Sequence, residues 1–113
     1  MRSMSFSLTE RQVLDGTKTV TRRVGWTFLK PGDRLRAVRK GMGLRKGEKQ
    51  YILCVIEVVS VRREPLMYAC HSGETAKEGF PEMSGVAFVN FFCDAMGSDP
   101  DDEVTRVEFR RVV

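Results

Sequence analysis

Long apolar runs are missing from this 113-residue chain. Nowhere does it reach the ~18 consecutive apolar residues that a bilayer crossing needs. The longest candidate, Tyr51 to Val61, is broken by Glu57 and Ser60. The opening Met1-Arg2-Ser3-Met4-Ser5-Phe6 has no apolar run of the secretory kind. The expectation is a cytoplasmic protein with no membrane partner. Metal ligands are scarce as well, with one histidine, His71, and three cysteines, Cys54, Cys70 and Cys93. No C-x-x-C pair occurs, so neither a zinc site nor any cofactor is assigned. Cys54 sits in an apolar strand pattern and Cys93 in an apolar helix pattern, and both read as packed thiols in a reducing compartment. Cys70-His71 reads as a polar loop pair, with a Cys-His nucleophile as the sharper alternative. Residues 40–49 hold three glycines and four Lys/Arg. They lack the G-x-x-x-x-G-K-[ST] order of a phosphate loop. Repeats, low complexity and an internal boundary are absent too, so one domain over 1–113 is expected.

What the chain does have is asymmetric charge. Residues 1–63 carry 15 Lys/Arg against 5 Asp/Glu, and residues 64–113 carry 4 against 10. The basic half suits a polyanion. A solvated basic surface is the bland alternative.

Local signals set out the elements. Ser7-Leu8-Thr9-Glu10 matches a capping box, and a helix from there ends near Asp15 at Gly16. Lys18 to Val24 reads as a strand. Leu29-Lys30-Pro31-Gly32-Asp33 is a Pro-Gly turn into a strand from Asp33 to Arg39. Gln50 to Arg63 is the strongest strand, apolar on both faces, and is expected to be central and covered twice. Ser72 is expected to cap a short helix over Glu74 to Glu78. Ser84 caps a longer one to about Met96, with Gly97 beyond. The helical stripe Phe88, Phe91, Phe92, Ala95 and Met96 reads as core. After the acidic turn Asp99-Pro100-Asp101-Asp102, Glu103 to Val112 is a strand with Val107 and Phe109 inward and Arg106, Glu108 and Arg110 outward. With a short strand near Met4 to Phe6, this order predicts an α+β fold with a mainly antiparallel sheet, closing into a small barrel.

Gly16-Thr17-Lys18-Thr19-Val20-Thr21-Arg22-Arg23 is the densest chemical segment. One lysine, three threonines and two arginines in eight residues suit a polar or anionic ligand, or a lysine-assisted hydrolysis. On strict strand alternation Lys18 and Thr21 lie on opposite faces. They converge only if the strand entry after Gly16 is distorted.

The segment resembles the G-x-K-T-x-T-x-R signature of ASCH domains. Leu29-Lys30-Pro31-Gly32-Asp33, Ile52 to Val61 and Ala76-Lys77-Glu78-Gly79-Phe80 are similar to later features of that family, in order. The resemblance implies a PUA-like β-barrel, mixed or antiparallel, with peripheral helices and a cleft for RNA or a nucleobase. Small ASCH proteins include bacterial N4-acetylcytidine amidohydrolases, whose catalytic lysine, threonine and glutamate match Lys18, Thr21 and Glu78. It implies Lys18 as general base, Thr21 as nucleophile and Glu78 as proton donor. The basic loop at 40–49 departs from the shortest of those enzymes, so their substrate does not simply transfer.

The chemistry sets its own conditions. Threonine needs a base to take its proton, and lysine serves only if its pKa falls from ~10.4 towards ~7–8. Arg22 and Arg23 can supply cationic pressure, whereas a Lys18–Glu78 ion pair holds both groups charged. Binding asks for less. Lys18 and Arg23 can hold a phosphate or base edge, beside Thr19 and Arg22. Arg36, Lys40, Arg45 and Lys46 extend the basic surface. Trp26 or Tyr51 can stack on an unpaired base. The expectation is therefore an RNA, nucleotide or nucleoside binder. An amidohydrolase acting on a modified nucleoside, or a protein-interaction module, are the alternatives.

Overall fold

A computed structural model describes residues 1–40 and 44–112. Gly41, Met42 and Gly43 of the expected basic loop lie outside the described residues. The elements run β1 (Ser3–Ser5), α1 (Glu10–Asp15), β2 (Val20–Arg23), β3 (Arg34–Val38), β4 (Ile52–Pro65), a 3-10 turn (Leu66–Cys70), α2 (Glu74–Lys77), α3 (Gly85–Met96) and β5 (Glu103–Arg111). The α+β order is as expected. No described helix is long and apolar enough to cross a membrane.

The five strands form one sheet in the order β1-β3-β4-β5-β2. All neighbours are antiparallel except β1 and β3. Among the described residues the sheet is open, so the expected closed barrel is corrected. β1 and β2 are its two edges. One side chain spans the gap between them: Arg23 donates from Nη2 to the Ser5 carbonyl at 2.6 Å, and its guanidinium lies 4.9 Å over the Phe6 ring.

Local chemistry explains most boundaries. Gly16 ends α1 in the left-handed conformation at φ 81°, where a Cβ costs roughly 1–2 kcal/mol. Ser84 Oγ accepts from Ala87 N at 3.0 Å and caps α3. Asp33 Oδ2 accepts from Lys30 N at 2.9 Å and fixes the Pro-Gly turn. The capping box at Ser7 did not form. Thr9 precedes the helix instead and makes no side-chain cap bond. Nor does Ser72 cap α2, whose first turn is entered through Gly73 at φ 83°.

The main core gathers Met4, Phe6, Val13, Leu35, Ile56, Val58, Val107 and Phe109 with their neighbours. A second cluster joins Leu66, Ala69, Phe88, Val89, Phe92 and Val104. The first half of β5, Val104 to Val107, is covered on both faces, as are Val20 to Arg22 of β2. In β4, Cys54, Ile56 and Val58 are buried while Ile52 and Val59 are exposed, so its expected double cover is corrected. Val59 sits where the β4–β5 register shifts. A bulge leaves such a residue unpaired and turned outward.

Candidate functional site

The segment after Gly16 does not continue as a strand. Lys18 N donates to the Gln12 carbonyl at 3.0 Å, and Thr19 N to that of Lys77 at 2.9 Å. Pairing with β5 proper begins at Val20. Lys18 therefore escapes strand alternation, and the conflict with Thr21 disappears. Both line one cleft of about 280 Å³, together with Arg22, Arg23 and Glu78. Thr19 is half-buried and does not line it.

Lys18 is only 5% exposed. Its Nζ donates to the Glu78 carbonyl at 2.6 Å and to Glu78 Oε1 at 3.2 Å. Arg22 Nη1 takes the other carboxylate oxygen, Oε2, at 2.8 Å. Burial pulls the Lys18 pKa below its usual 10.5. Glu78 opposes that fall, while Arg23 and Arg22 add to it. Burial also lowers Arg23 to about 10, against the attraction of Glu78. Arg23 Nε donates to Thr21 Oγ1 at 3.1 Å, which orients the hydroxyl.

Behind this wall lies a charge ladder. Arg62 pairs across the sheet with Arg106, and Arg106 with Arg22. Like charges directly opposite repel, so the row needs counter-ions. Glu74 Oε1 accepts from Arg22 at 2.6 Å and from Arg106 at 2.8 Å, and Glu64 bonds both Arg22 and Arg62. Burial works against the charge on Glu74, but Arg106 and Arg22 outweigh it and hold the carboxyl at about 2. Arg106, expected to face outward, is thus a buried part of the network. Arg22 Nε is buried and has no hydrogen-bond partner among the described residues.

The facing wall is apolar. Phe80, Phe88 and Phe92 pack there, and Phe91 and Met96 of α3 are 37% and 55% exposed at its margin. All five residues of the stripe read as core line the cleft, and of them Phe88 and Phe92 also belong to the buried second cluster. Ser5, Phe6 and Thr9 form the third side.

Other expected ligand residues lie elsewhere. Trp26 takes a positive φ of 61°, packs against the main core and sits 5.5 Å from Phe28. Arg36 donates to the Met1 carbonyl at 2.7 Å. Lys40, Arg45 and Lys46 are exposed, with Lys40 3.7 Å from Glu48. None of these five lines the cleft.

Two solved structures match this arrangement along almost its whole length. A protein of the DUF984 family from Enterococcus faecalis V583 aligns at a TM-score of 0.67 and 16% identity, covering 97% of this chain and 74% of that one. An ASCH domain from Lactobacillus crispatus JV V101 aligns at 0.58 and 20% identity, covering 98% and 77%. The fold is that of an ASCH domain. The α+β architecture expected from sequence stands with it. No family model and no curated protein matches the chain. Within the ASCH fold, the cleft lies along the edge strand β2 and is closed off by α3 and the segment after β1.

Proposed function

We propose that this protein binds RNA, a nucleotide or a nucleoside, and that the cleft takes a single unpaired base. The observation that carries this reading is the pairing of two unlike walls. A base has a polar edge and a flat apolar face. Lys18, Thr21 and Arg23 offer donors and acceptors to the edge, while the phenylalanines opposite offer a surface to the face. A volume of about 280 Å³ falls just under the ~300 Å³ at which drug-sized pockets begin, so it suits one base or nucleoside. Calorimetric titration with the four nucleosides and their monophosphates tests this. Lys18→Met should weaken the best ligand at least tenfold. If none of the eight binds, the reading is wrong.

One observation favours a second reading, hydrolysis of an amide on such a ligand, as in N4-acetylcytidine. Lys18 is a buried amine with a lowered pKa, in the same cleft as the Thr21 hydroxyl. A neutral Lys18 would take the Thr21 proton as Oγ1 attacks the acyl carbon. The C–N bond then breaks, the departing amine takes a proton, and water hydrolyses the acyl-threonine to release acetate. Binding is placed first because both Glu78 oxygens accept, from Lys18 and from Arg22, which suits a carboxylate better than a proton donor. Incubation with N4-acetylcytidine should release cytidine. A rate that survives in both Lys18→Ala and Thr21→Ala would sink the mechanism.

A further inference from the structure

The polar wall of the cleft and the ladder behind it carry more positive charge than they match. Lys18, Arg22 and Arg106 are buried there, and so are Glu64, Glu74 and Glu78. These three cations and three carboxylates pair among themselves, so their charges cancel. The exposed Arg62 and Lys77, which also bond Glu64 and Glu74, add positive charge. Arg23 lines the cleft as a further cation, and neutral groups hold it. Nε donates to Thr21 Oγ1 and Nη2 to the Ser5 carbonyl, over the Phe6 ring. Among the described residues Arg23 pairs with no carboxylate. Glu78 attracts it, but both Glu78 oxygens already accept from Lys18 and Arg22. Arg23 Nη1 has no hydrogen-bond partner among the described residues and, unlike Arg22 Nε, is not sealed from solvent. Thr21 Oγ1 accepts from Arg23 and donates to no described residue, which leaves its proton for a ligand.

We infer that the ligand carries an anionic oxygen group, a phosphate or a carboxylate, and that Arg23 takes this group through Nη1. This rests on the binding reading above and narrows it from any nucleoside to an anionic one, leaving Lys18 for the base edge. A cation held away from water is costly until a counter-ion reaches it. A guanidinium also matches both oxyanions in charge and geometry.

Titration calorimetry on the unaltered protein compares the four nucleosides with their 3′- and 5′-monophosphates and their 5′-carboxylates. At least one anionic derivative should bind about 10- to 150-fold tighter than its parent nucleoside, the worth of a hydrogen bond to a charged group. Tighter binding by the phosphates, the carboxylates or both names the group. If a nucleoside binds and no derivative reaches about tenfold over it, the inference is overturned while the cleft reading stands. Arg23→Gln, shown to be folded by thermal melts, should bring the ratio of derivative to nucleoside within about twofold. A ratio between two ligands on one variant does not move merely because the bond to Ser5 is lost. A preference that survives in Arg23→Gln would overturn the assignment to Arg23. Should that variant not fold, NMR of the arginine side-chain nitrogens in the unaltered protein decides. The Arg23 signals should shift with the anionic derivative and not with the nucleoside, and unmoved signals would overturn the inference. If no compound binds the unaltered protein, the cleft reading fails and this one falls with it.

Discussion

Replacing Glu74 with glutamine should remove a charge while keeping the side chain's shape. Glu74 is 5% exposed and links Arg22 to Arg106 through one oxygen. Its carboxyl falls from 4.5 to about 2 on folding. At 1.36 kcal/mol for each pH unit, that is about 3 kcal/mol of stability at neutral pH. The same figure is the lower end of the ~3–5 kcal/mol cost of breaking a buried ion pair. Because the folded pKa is the lower one, the stability is present above pH 4.5 and is lost as pH falls through about 2. About 1.4 kcal/mol remains at pH 3. For a chain of this size 1 kcal/mol moves the melting point by about 4 °C. Glu74→Gln should therefore melt about 12 °C lower at pH 7 and about 6 °C lower at pH 3, by circular dichroism. A deficit under about 2 °C at pH 7, or one equal at both pH values, would refute the account of the network.

Three further outcomes are expected. Gly85→Ala, a change worth up to ~1 kcal/mol of stabilisation in an ordinary helix, should here destabilise, because the new Cβ would lie 2.5 Å from Cys70 Cα and overpacking costs about 1–3 kcal/mol; a raised denaturant midpoint would contradict this. Ser84→Ala should cost about 1 kcal/mol through loss of the cap to Ala87, and Ser84→Asp should restore it, both read in urea melts. Titration of the Lys18 side chain by NMR should give an inflection below 10.5, since burial dominates, and an inflection at or above 10.5 would count against its use as a base.

Much of the fold was legible because its signals are local. Gly16, the Pro-Gly turn, Ser84 and Gly97 each act through their own neighbours. β4 was found from its pattern, and the ASCH resemblance brought Lys18, Thr21 and Glu78 together ahead of any structure. What stayed hidden depends on tertiary partners. Arg106 looked solvent-facing because alternation cannot reveal that Glu74 of α2 arrives beside it. Ser7 matched a cap by spacing, yet Thr9 N bonds the Phe6 carbonyl at 3.0 Å, and this turn carries the chain past Ser7 before the helix begins. Trp26 was offered as a stacking residue on chemistry alone, but its loop folds back onto the core. The 3-10 turn at Leu66–Cys70 carried no periodic signal, and its start is held by Leu66 N donating to the Asp102 carbonyl at 2.9 Å.

The unlike walls of the cleft also differ in how freely they can change. Lys18, Arg22 and Glu78 share hydrogen bonds with one another, and Arg23 bridges both sheet edges. Any substitution there is felt by the fold before it reaches a ligand. Phe91 and Met96 are partly solvent-facing side chains on a capped helix, so their replacement leaves the ion network untouched. A new ligand preference can therefore be selected on α3 one residue at a time, while the opposite wall stays as it is. Engineering this cleft means mutating its greasy side.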